Sequence, residues 1–126
     1  MAREPRNEID PNQVVLNLMA LSRQMQKLSD ELDGLEDNAV RRKEAYTLAY
    51  AKTFMATDTT KTQETRKQET LYITHQERLD ADLAETLVRA HKRKIDTLRV
   101  RIDVGRSAAA LVRAEAELLN MRGRGG

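Results

Sequence analysis

The sequence predicts an all-α protein made of two long helices in a coiled-coil hairpin, on three observations. Apolar residues recur at alternating spacings of four and three over two separate stretches. The chain is 33% charged, with five Gly and two Pro, and it leans on the helix formers Ala, Leu, Glu, Lys and Arg. Of its 126 residues, fifteen are Ala and only four (Tyr46, Tyr50, Phe54, Tyr72) are aromatic. So little bulk cannot close a thick core, and the chain is expected to be a homo-oligomer whose association completes the burial.

Residues 1–10 are read as a flexible N terminus and 11–56 as the first helix. Asp10 suits the N-cap, and Pro11 suits the first helical position, where its missing donor would have no partner in any case. Val14, Leu18, Leu21, Met25, Leu28, Leu32, Leu35 and Ala39 then form a heptad seam. Beyond Ala39 the register gives way to an aromatic row of Tyr46, Tyr50 and Phe54. Thr57, Asp58, Thr59 and Thr60 are poor helix formers and end the helix near Ala56. Residues 57–74 are read as a connector. Lys61 to Glu69 is polar without periodicity, and the β-favouring Thr70, Leu71, Tyr72, Ile73 and Thr74 suggest an extended piece or short strand.

Thr74 with Glu77 three residues on reads as a capping box opening the second helix, residues 75–120. Ala84, Val88, His91, Ile95, Leu98, Ile102, Gly105, Ala109, Val112, Ala116 and Leu119 form its seam. Gly105 and Ala109, one turn apart, admit a close helix. The oligomer seam is assigned to Leu18, Leu21, Met25, Leu28, Leu32, Ile95, Leu98, Ile102, Gly105, Ala109 and Val112. Residues 121–126, rich in Arg and Gly, are read as a flexible tail.

Composition narrows the function classes. With no cysteine there is no disulfide framework and no thiolate metal site. The longest apolar run is the five residues from Ala108 to Val112, too short to span a membrane, and charges through the first ten residues argue against a secretory signal. A cytoplasmic address is therefore expected. Two His residues, no Gly-rich phosphate loop, no HExxH and no GxSxG argue against an enzyme. Asp80, Asp82 and Glu85 fall on different helix faces, and neither His75 nor His91 has companions at ligand spacing, so no metal or cofactor is expected.

Charge comes in blocks. Residues 12–40 carry net −3, 41–67 net +4, 68–88 net −4 and 89–106 net +5. One basic block is Arg41, Arg42, Lys43, Lys52, Lys61, Arg66 and Lys67; the other is Arg89, Lys92, Arg93, Lys94, Arg99, Arg101 and Arg106. If the helices run antiparallel and bring the blocks together, they make a surface for single-stranded DNA, with Tyr46 and Tyr50 stacking bases beside the cations. The competing reading is that the blocks are solvated faces that set register between helices, with Asp96 pairing Arg93 and Arg99, and that the aromatic row is packing. The two readings lead to two functions: a non-enzymatic DNA-binding accessory, or a structural or interaction coiled coil such as a scaffold, assembly factor or host-factor inhibitor.

Two segments carry a resemblance: HKRKIDTLRVRIDVGRSAAALVRAE from His91 to Glu115, most specifically RIDVGRS at Arg101 to Ser107, and RKEAYTLAYAKTF from Arg42 to Phe54. Together they resemble a family of small helical proteins of actinobacterial phages, mostly of unassigned function. More distantly, the order of elements is similar to the UvsY recombination-mediator family of T-even phages. Arg66 and Lys67 match that family's basic segment, Leu71 to Ile73 its extended piece, and Gly105, Arg106 and Ser107 its oligomerising helix. What the resemblance implies is a self-associating protein that binds single-stranded DNA and works with a recombinase, an annealing protein or a single-strand-binding protein.

Overall fold

The computed structural model describes residues 10–124. Over them the chain is three helices, α1 (Pro11–Ala56), α2 (Gln63–Ile73) and α3 (His75–Arg124), with no strand among the described residues. The N-terminal segment expected to be flexible lies, apart from Asp10, outside the described residues.

α1 starts and ends where its local chemistry demands. The Asp10 carboxylate accepts from the Asn12 amide at 3.0 Å, and the Asp10 carbonyl accepts the first helical bond from Val14 at 3.1 Å. At the other end the Phe54 carbonyl, which the helix leaves without a partner, accepts from the Thr57 amide at 3.1 Å and the Thr57 hydroxyl at 2.6 Å. Arg66 adds to this cap. Its Nη2 reaches the same carbonyl at 3.4 Å, its Nε donates to Thr57 Oγ1 at 2.8 Å, and its guanidinium lies 4.4 Å from the centroid of the Phe54 ring.

The connector corrects the extended reading of residues 70–74. Thr62 caps α2 by accepting from the Thr65 amide at 3.2 Å, and Glu64 lies in the first turn, where the helix dipole favours an anion. Thr70 and Thr74 are the most deeply buried side chains described, and each hydroxyl donates back to a carbonyl four residues earlier, Arg66 and Thr70, at 2.7 Å. Burial with a satisfied hydroxyl overrides their preference for strand. Thr74 is the C-cap of α2, its amide donating to the Thr70 carbonyl at 2.9 Å, and its backbone is not in the extended conformation that a capping box with Glu77 requires. Only Thr74 separates α2 from α3, and its carbonyl accepts the first bond of α3 from Arg78 at 3.1 Å. The expected tail is also corrected: α3 continues through Gly123 to Arg124.

The chain divides into two compact units, Met1–Leu28 with Lys94–Gly126, and Ser29–Arg93. In the first, the early part of α1 lies antiparallel to the later part of α3. Ile95, Leu98 and Ile102 are buried there, and Val14, Leu18, Leu21, Met25 and Leu28 are partly covered. A groove of about 310 Å³ between Val14 and Leu18 on α1 and Ala109 and Val112 on α3 marks how these helices face one another. In the second unit the buried residues are small: Ala39 on α1, Thr70 and Thr74 around α2, and Ala81 and Ala84 on α3.

Gly105 shows what the close approach requires. A Cβ at this position would stand 2.6 Å from Leu18 Cδ2, whereas one at Gly34 would meet nothing within 4 Å. Both glycines are helical, so alanine at either removes the same backbone cost of about 0.5 to 1 kcal/mol. Gly34→Ala should therefore raise stability by about that amount. Gly105→Ala should gain less, and Gly105→Val should be destabilised by about 1 to 3 kcal/mol through overpacking. Urea unfolding followed by circular dichroism at 222 nm ranks the three, and an equal gain at both glycines would contradict the packing described. Replacing Arg66 with Met should lower stability by about 1 to 2 kcal/mol in the same measurement, because it removes the hydrogen bonds to Thr57 and the Phe54 carbonyl and the cation over the Phe54 ring.

Candidate interaction surfaces

Several cations of the two basic blocks are held by carboxylates. In the Ser29–Arg93 unit three side chains of the basic stretches meet carboxylates on the other helix. Arg42 Nη1 lies 3.9 Å from Asp80 Oδ2, Lys92 Nζ 3.4 Å from Glu36 Oε1, and His91 Nε2 3.0 Å from Glu31 Oε2. The antiparallel run sets Arg42 of α1 against the acidic opening of α3, and His91 and Lys92 of α3 against Glu31 and Glu36 of α1. Each such surface pair adds at most about 1 kcal/mol. What the pairs supply together is register, because sliding one helix past the other would break all three at once.

The remaining cations are distributed among several roles. Arg41 pairs with Asp37 on its own helix at 3.1 Å, and Arg99 pairs with Asp96 at 3.3 Å. Arg66 is the cap of α1 already described. Lys61 binds Glu69, and this hydrogen bond, followed by the charge of the same carboxylate, raises the lysine above its ordinary value. Lys43, Lys52, Lys67, Arg89, Lys94 and Arg101 are exposed, and Arg106 lines the groove beside Leu18. Arg93 is exposed and engaged in an interaction of its own. In the loop after α1 the Asp58 carboxylate accepts from the Thr60 hydroxyl at 2.7 Å and the Thr60 amide at 2.9 Å. These two bonds hold its pKa below the ordinary carboxylate value.

The aromatic row is half-buried and engaged with itself. Tyr46 and Tyr50 meet edge to face at 6.2 Å, and Tyr50 and Phe54 stack at 6.3 Å with their planes 7° apart. The row therefore ends on the Arg66 guanidinium. The His91 side chain is 14% exposed and turned to Glu31, while His75 is the exposed first residue of α3.

The residues assigned to an oligomer seam are covered within a single chain. Ile95, Leu98 and Ile102 are buried, and Leu18, Leu21, Met25, Leu28, Leu32, Gly105, Ala109 and Val112 are partly covered; Ala116 and Leu119, at the end of the same row, are exposed. The sequence reading missed a second row on α3. Val100, Val104, Ser107, Leu111, Ala114, Leu118 and Met121 also recur at four and three, in a frame offset from the first, and all are exposed. Scanning the same helix in every heptad frame would have found it.

Other exposed apolar side chains lie in the Ser29–Arg93 unit. Val40, Leu48 and Met55 stand along α1, Tyr72 and Ile73 close α2, and Leu79, Leu83 and Leu87 stand on α3. Among the described residues no group of three His, Cys, Asp or Glu side chains could hold a metal ion, and no helix is long and apolar enough to cross a membrane. No protein-family model, curated protein or solved structure matches the chain.

Proposed function

We propose that this chain is a non-enzymatic helical interaction module, a scaffold or assembly element whose charges are used to build its own hairpin. One observation carries the reading. Facing segments of α1 and α3 in the Ser29–Arg93 unit are matched, through the ion pairs Arg42 with Asp80 and Lys92 with Glu36 and the hydrogen bond of His91 with Glu31. A phosphate backbone is held by cations that converge and lack anionic neighbours. Here Arg42 and Lys92 are met by carboxylates of the facing helix, while long apolar stretches stay open to solvent. Large exposed apolar faces with polar rims are the usual mark of a protein-binding surface.

The same pairings supply the tests. Lys92→Glu should cost up to about 1 kcal/mol of stability, and Glu36→Lys introduced alongside it should restore most of the loss, as measured by a double-mutant cycle in urea. Fluorescence anisotropy with a labelled single-stranded oligonucleotide addresses the competing function. We expect no saturable binding at about 150 mM salt, where counterion screening removes weak surface attraction. Saturable binding whose log affinity falls with log salt at several times the slope of about −0.7 per phosphate would overturn the reading in favour of a DNA-binding accessory.

A further inference from the structure

α3 carries apolar rows on two nearly opposite sides. In the unit that contains Lys94–Gly126, one row holds the buried Ile95, Leu98 and Ile102 and is covered by α1. The other holds Val100, Val104, Leu111, Leu118 and Met121, each between 59% and 70% exposed. At 100° per residue the centres of the two rows lie roughly 160° apart. A helix apolar on both sides is built to lie between two neighbours, and α1 supplies only one of them.

We propose that the second neighbour is another copy of this chain, with residues 96–122 of the two α3 helices forming a parallel, in-register, two-stranded coiled coil. The inference rests on reading the chain as an interaction module and names its partner. The charges beside the exposed row select both partner and direction. One edge carries Asp96, Asp103 and Glu117; the other carries Lys94, Arg101 and Arg122, with Glu115 its only acid. In a parallel in-register pair the acidic edge of each helix meets the basic edge of the other. Asp96 then faces Arg101 of the second copy, and Glu117 faces Arg122 of the second copy. An antiparallel pair would set acidic edge against acidic edge.

The row itself suits close pairing. From Val100 to Met121 it spans about 33 Å at 1.5 Å per residue, just over three heptads. Ser107 and Ala114 occupy successive equivalent positions and let the backbones approach. The Ser107 hydroxyl already donates to its own helix, to the Asp103 carbonyl at 3.2 Å, so covering it leaves no donor unpaired.

Sedimentation equilibrium of the full chain at micromolar concentration tests the proposal. The expected mass is twice the 14.4 kDa of one chain. Val104→Asp with Leu111→Asp should return the protein to one chain mass with unchanged helical circular dichroism, because both side chains are exposed within a single chain. Direction is read by cysteine, which the natural chain lacks. Ser107→Cys and Ala114→Cys, each introduced alone, should both oxidise to disulfide-linked dimers, whereas an antiparallel pair could link at most one of them. Arg101→Glu should weaken association several-fold, and adding Asp96→Arg should recover it.

A wild-type chain that sediments at 14.4 kDa across the micromolar range overturns the proposal, as does a dimer that survives the double aspartate variant or cross-links at only one of the two cysteines. Oligonucleotide binding is a separate readout. A monomer that ignores DNA removes this inference and leaves the module reading standing; a dimer that binds DNA does the reverse.

Discussion

The register of α1 against α3 is the constraint on which the rest of the structure depends. Two long antiparallel helices with heptad seams can slide by a heptad and still bury apolar residues, so apolar pattern alone does not choose among positions. Charge chooses. In the Ser29–Arg93 unit an acidic stretch of α1 faces a basic stretch of α3, and a basic stretch of α1 faces the acidic opening of α3. A slip of one heptad would part Arg42 from Asp80, Lys92 from Glu36 and His91 from Glu31. The alternating blocks, which sum to a net charge of only +2, are in this light a device for alignment.

Register in turn explains the composition. The buried positions of the Ser29–Arg93 unit are occupied by Ala39, Ala81, Ala84, Thr70 and Thr74, and in the other unit Gly105 stands where the Leu18 side chain needs room. Small residues at these points let backbones approach, so contact is made over short distances with little side-chain bulk. A chain with four aromatics can be held this way, but its burial is thin. The aromatics it does have are grouped at the end of α1, where Phe54 and Arg66 close the helix and tie α2 to it. Apolar area that the short side chains do not cover remains on the outer faces, most continuously along the later part of α3.

Much of this was legible in the sequence. Asp10 and Pro11 give the start of α1, the threonine cluster after Ala56 gives its end, and the two covered seams follow from spacing alone. Three features were not legible, each for a physical reason. Thr70 to Thr74 looked extended because propensity is measured without a tertiary partner; once buried, threonine hydroxyls bond to carbonyls four residues back and the segment is helix. The partnership of basic and acidic blocks depends on which residue of α1 lies beside which residue of α3, and a sequence without a register does not contain that. The second row on α3 was hidden by Ser107 and by the habit of following one heptad frame per helix. Arg66 read as a member of a basic patch because a helix cap that reaches back twelve residues leaves no local sequence signature.

Whether α1 and α3 hold one antiparallel register can be read by cross-linking across the helix pair in a chain that has no native cysteine. Cysteines at Glu31 and His91, joined by a short thiol-specific cross-linker, should give an intramolecular product that migrates as a single chain on a denaturing gel. Cysteines at Glu31 and Asp80, the latter about 16 Å further along α3 at 1.5 Å per residue, should not. Equal yields for the two pairs would show a hairpin without a fixed register, and a product of Glu31 and His91 found only between chains would show that α3 packs on the α1 of another molecule. Either result would contradict the account.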